Sequence, residues 1–184
     1  VVFSRDDSFC FNWTAIGPIE LRDVLSDAMR FPIYKCMART YKGIFKPRNP
    51  QKYRGDPTNI IYRSRWELVF MKYLDDHPGV KEWASEELII PYRSPIDGKM
   101  HRYFPDFWLK KINREGKTDT VVVEIKPKHE TVEPTPQKKI TKKYLYEVKT
   151  WGINKSKWIA AEKYCKQQGW QFMILTEKEL GIKF

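Results

Sequence analysis

The 184-residue chain has little that would mark a membrane, secreted or disulfide-stapled protein. No stretch approaches the roughly 20 consecutive apolar residues of a membrane span. No charged start, apolar middle and small-residue cleavage site marks a secretory leader. The three cysteines, Cys10, Cys36 and Cys165, are odd in number and unpatterned, as expected of free thiols in a reducing cytosol. His77, His101 and His129 lack metal-ligand spacing. There is no internal repeat and no low-complexity tract. Acidic residues are scarce as well: 23 Asp and Glu stand against 34 Lys and Arg, a net charge of +11.

A hydrophobic share of 41%, with 15% aromatic, is enough for a globular core. The charge is uneven. Residues 1–36 carry four basic and five acidic residues, so the rest of the chain carries +12. From Arg39 through Lys42, Lys46, Arg48, Lys52, Arg54, Arg63 and Arg65 a single acid, Asp56, interrupts the basic run. Tyr41, Phe45 and Tyr53 are interleaved with it. Such a segment can neutralise phosphates and offer rings to bases or sugars, or it can dock on an acidic protein. We divide the chain into an appendage (1–36, with a short helical pattern over 19–29), a basic extended arm (37–63) and a core (64–184).

The core opens with a helix from Ser64, where Trp66, Val69, Phe70, Tyr73 and Leu74 form one apolar stripe ending at His77-Pro78-Gly79. Strands are expected over 88–92, over 102–109 after an Asp97-Gly98 turn, and over 120–125 after a polar turn at 113–117. Pro127, Pro134 and Pro136 mark a loop. Helices over 138–150 and 157–168, the latter closed by Gly169, precede a last strand over 170–175. The order predicted is α-β-β-β-α-α-β, an α/β fold with a mixed β-sheet flanked by helices.

Glu124 and Lys126, two apart, leave the end of the apolar Val121-Val122-Val123 strand on one face. Charges there are costly unless paired. Asp106 falls in the preceding strand, and antiparallel pairing would set it beside Glu124. Two carboxylates with the Ile125 carbonyl between them suit Mg²⁺, or Mn²⁺, which prefer oxygen ligands. Lys126 would then orient or help deprotonate a water, or stabilise charge on a phosphate. A surface ion pair is the plainer alternative. Glu67 has two readings: Ser64-Arg65-Trp66-Glu67 fits a capping box, and a carboxylate on this helix could also reach a metal. Lys155 and Lys157, before Trp158, either approach a phosphate or simply open a helix. Lys126, Lys128, Lys138, Lys139, Lys142 and Lys143 either clamp a duplex or are solvated.

Pro105-Asp106 with Glu124-Ile125-Lys126 resembles the pattern of PD-(D/E)XK nucleases, which implies a restriction-endonuclease-like core. A longer resemblance runs from Met37 to the end. It is carried by Lys52-Tyr53-Arg54-Gly55-Asp56-Pro57, Tyr62-Arg63-Ser64-Arg65-Trp66-Glu67, Ile90-Pro91-Tyr92, Arg102-Tyr103-Phe104-Pro105-Asp106, Glu124-Ile125-Lys126-Pro127-Lys128 and the tail from Lys157-Trp158 to Ile174-Leu175-Thr176-Glu177. These stretches resemble the head-completion nucleases of T4-like tailed phages and, more distantly, the end-cutting nuclease of Tn7-like transposons.

The resemblance implies a Mg²⁺-dependent DNA endonuclease that processes packaged DNA ends before the tail joins. Its partners would be DNA and the portal or neck proteins, in the virion neck or in host cytoplasm during assembly. Asp106, Glu124, Ile125 and Glu67 would be the metal-site residues and Lys126 the catalytic lysine. Arg54, Arg63, Arg65, Lys128, Lys155 and Lys157 would face DNA. A structural neck protein with an idle site, or a transposon-type nuclease, would be the alternative.

Overall fold

The computed structural model describes residues 41–113 and 115–181. The expected appendage at 1–36 and its helical pattern lie outside the described residues.

Ser64 starts helix α1 (Arg65–Asp76) as its side-chain oxygen accepts the Glu67 amide at 3.1 Å. Phe70, Met71, Tyr73 and Leu74 form its buried stripe. The next element departs from expectation: β3 (Val80–Ser85) follows at once. Lys81 and Glu82 interrupt its alternation at a bulge, which hides the period-2 signal. The expected 102–109 strand is two strands. β5 (Met100–Tyr103) forms a separate hairpin with β4 (Ile90–Arg93), while β6 (Phe107–Ile112) enters the main sheet. Buried Pro105 stands at the break, where a residue without an N–H cannot continue a ladder.

The main sheet has the order β3-β6-β7-β8, with β7 spanning Thr118–Ile125 and β8 spanning Gln171–Leu175. β3–β6 and β6–β7 are antiparallel, and β7–β8 is parallel. The two expected late helices are one, α2 (Lys142–Gln168), capped by Thr141 and ended by Gly169 at φ 69°. Gly152, at the expected break, is helical; an interior glycine costs only about 1 kcal/mol against alanine.

Adjacent strand residues face opposite ways. Phe107 meets Phe70 of α1, whereas Trp108 clusters with Ala84, Val122 and Cys165 of α2. The helices therefore cover opposite faces of a mixed sheet, and the expected class holds although the element order is corrected.

The basic arm is not free along its described length. β1 (Gly43–Phe45) pairs antiparallel with β2 (Ile60–Tyr62), and Phe45, Tyr53 and Ile60 are buried. Phe45 and Tyr53 pack edge-on against Trp83. Asp75, 1% exposed, accepts the Arg48 amide at 2.6 Å and the Asn49 amide at 3.1 Å. The Lys52 ammonium meanwhile satisfies the Asp75 and His77 carbonyls where α1 ends. Asp75→Ala should cost about 3 kcal/mol in urea unfolding, because it takes a buried charged acceptor from two part-buried amides that seat the arm.

Candidate active site

The β6–β7 register pairs Phe107 with Val123, and one further step sets Asp106 opposite Glu124. Asp106 Oδ2 accepts the Ile125 amide at 2.7 Å, which ties the end of one strand to the next. Lys126 Nζ lies 3.3 Å from Glu124 Oε1. The structure thus gathers Asp106, Glu124, Ile125 and Lys126 at one corner. Glu124 is buried, 4% exposed, while Asp106 keeps partial access to solvent.

Desolvation, then repulsion from Glu124, pushes the Asp106 carboxyl up to about 8, against the opposing pull of Lys126 and the Ile125 amide. Burial works to lower the Lys126 ammonium. Glu124, Asp106 and the Glu124 hydrogen bond outweigh it and hold the lysine above its ordinary value. Two crowded carboxylates share one lysine. This donor set fits a hard divalent cation, which would relieve the repulsion.

A raised carboxyl favours the folded state while protonated. Its contribution is complete below the ordinary Asp range and is lost as pH rises towards 8. In chelator, Tm should therefore fall between about pH 5 and 8.5, and Asp106→Asn should flatten that slope in pH-resolved thermal melts.

Glu67 is engaged elsewhere. Its Oε2 accepts the Arg63 amide at 2.7 Å, one residue before the N-cap amide that a capping box uses. Its charge still acts on Asp106. Among the described residues, no three His, Cys, Asp or Glu side chains form a ready metal cluster.

The expected DNA contacts are scattered. Exposed Arg54 lies 5.0 Å over Trp108, on the face that carries the site. Arg63 pairs with Glu86, and that bond, with the Glu67 and Asp106 charges, raises it above an ordinary arginine despite partial desolvation. Arg65 opens α1, half-buried. Lys128 is exposed and its amide donates to Glu177. Lys157 lies over the Tyr92 and Tyr103 rings, whereas Lys155 turns away to Trp151. On a helix, neighbours two apart do not share a face.

Two residues were not singled out from the sequence. Tyr103 donates its hydroxyl to Glu124 Oε2 at 2.7 Å; burial first, then Glu124, keeps that hydroxyl protonated far above its usual range. Glu86, with φ of 57°, donates its amide to the Asp106 carbonyl at 3.2 Å. A left-handed glutamate leaves no local sequence signature.

Residues 77–177 match the family described as "TnsA-like endonuclease N terminal". The chain is also 41% identical over 150 residues to the head completion nuclease of Enterobacteria phage T4, covering 78% of this chain and 97% of that protein. A match of that identity and coverage, with a family model over more than half of the chain, means that the chain belongs to the family of the phage head completion nuclease and carries a TnsA-like endonuclease N-terminal region.

Proposed function

We propose that the protein is a Mg²⁺-dependent DNA endonuclease of phage head completion, with Mn²⁺ as a substitute. It would process packaged DNA ends at the portal or neck before tail attachment, in the virion neck or in host cytoplasm during assembly. The observation that carries the reading is the crowded carboxylate pair beside a single lysine. Asp106, Glu124 and the Ile125 carbonyl would hold the cation. The chemistry a divalent ion supplies there is a more acidic water and compensation of the charge that builds on the phosphate.

Lys126, whose ammonium lies 3.3 Å from Glu124 Oε1, would orient the attacking water or donate to the phosphate. Lys157, over the Tyr103 ring, and Arg54, over Trp108, would hold the flanking phosphates. Arg63 would join them by leaving Glu86. Arg65, Lys128 and Lys155 would make outer contacts. Glu67 would serve mainly as a cap and as a negative charge near the site, reaching the cation only by releasing the Arg63 amide. The division into a 1–36 appendage, a 37–63 arm and a 64–184 core belongs to the same proposal, with the arm seated on the core through Asp75.

The test is a nicking assay on closed circular duplex with the purified protein. Cleavage with Mg²⁺ and none in chelator is expected. Tight DNA binding with no cleavage in either metal would favour a structural neck protein with an idle site. The TnsA-like match favours one further reading, a transposon-type nuclease. Cleavage that appeared only with an added transposase would support it.

A further inference from the structure

Tyr103 and Asp106 are three residues apart, yet they reach the end of β7 from two different sheets. Asp106 leads into β6, whereas Tyr103 ends β5 in the separate β4–β5 hairpin, beyond the Pro105 break. Tyr103 is 2% exposed, and its ring packs with Ile90, Tyr92 and Ala161 of α2. The Lys157 ammonium lies over both tyrosine rings. Glu124 is thus gripped from two sides: Oε2 by the Tyr103 hydroxyl and Oε1 by Lys126. A glutamate otherwise turns broadly about its last torsion.

We propose that Tyr103 is a positioning residue, whose hydroxyl, aimed by the hairpin and α2, fixes the Glu124 carboxylate in the orientation that presents it to the cation. The proposal rests on the nuclease reading given above. Outer-shell hydrogen bonds to ligating carboxylates commonly set metal affinity. The rival explanation is purely structural, since a buried tyrosine hydroxyl needs some acceptor.

Tyr103→Phe removes the hydroxyl and keeps the ring. Calorimetric titration of Mn²⁺ into the full chain should show affinity weakened about 10- to 100-fold. The melting temperature in chelator should fall modestly, as loss of one buried hydrogen bond to a charge requires, and excess metal should restore much of the cleavage. Unchanged Mn²⁺ affinity, with or without a drop in Tm, would overturn the role. A second measurement uses Glu124→Asp, which keeps a carboxylate but draws it away from the hydroxyl: adding Tyr103→Phe to it should weaken Mn²⁺ binding no further, and additive losses contradict the proposal. Glu124→Ala by itself separates the two readings. If it binds Mn²⁺ like the wild type, the site assignment fails and the tyrosine's role falls with it. If it abolishes binding while Tyr103→Phe does nothing, only the tyrosine's role fails.

Discussion

Asp106→Asn should lower Mg²⁺-dependent DNA cleavage by about 1,000-fold, equivalent to ~4 kcal/mol of transition-state stabilisation, while leaving the fold at least as stable. The two halves of that expectation come from the same geometry. Asparagine keeps an oxygen that can accept the Ile125 amide, so the strand-end tie survives. It removes the charge that burial and Glu124 disfavour. In chelator at pH 8 the variant should melt at or above the wild-type temperature. Such an exchange of stability for function is expected where like charges are crowded for a purpose. A variant that cleaves normally would dismiss the site. One that loses both cleavage and fold would make Asp106 a structural residue instead.

Lys126→Ala should lower cleavage by about 100- to 1,000-fold, the usual loss for a donor aimed at developing charge. Its effect should fall on turnover more than on the DNA concentration needed for half-maximal rate. Lys126→Arg should rescue poorly, because a planar fork does not replace a compact ammonium. Removing Lys126 also leaves two carboxylates without their cation. Apo stability should fall, most at high pH where the raised Asp106 carboxyl is ionised, and divalent metal should recover part of it. Single-turnover kinetics with matched melts would separate the contributions. Loss through weaker DNA binding alone would assign Lys126 to substrate contact instead.

The placement of this corner's residues was more legible in the sequence than the architecture around them. Glu124 and Lys126 follow from strand parity, and Asp106 from a short turn that imposes antiparallel pairing; the observed register bears out that geometry. Ser64 as a helix cap was equally readable. What was hidden depends on partners distant in sequence. β3 carries its polar residues at a bulge and becomes a strand only against β6. Gly152 looks like a helix end, but α2 continues through it to a buried half that begins at Asn154. The arm reads as solvated because its charges outnumber its anchors. Buried Asp75, which seats it, sits among helix residues with no hint of a target 26 residues away. Tyr103 was readable only as part of a strand, since its partner lies in the other sheet, beyond the strand break at Pro105.

The central claim is that Asp106 and Glu124 together hold the cation that cleavage requires. Calorimetric titration of Mn²⁺ into the purified wild type and Asp106→Asn tests it most directly. The account predicts a wild-type site that takes Mn²⁺, with proton release near neutral pH because the raised Asp106 carboxyl must ionise. It predicts no measurable binding at that site in the variant. Equal Mn²⁺ affinity in the two proteins would contradict it.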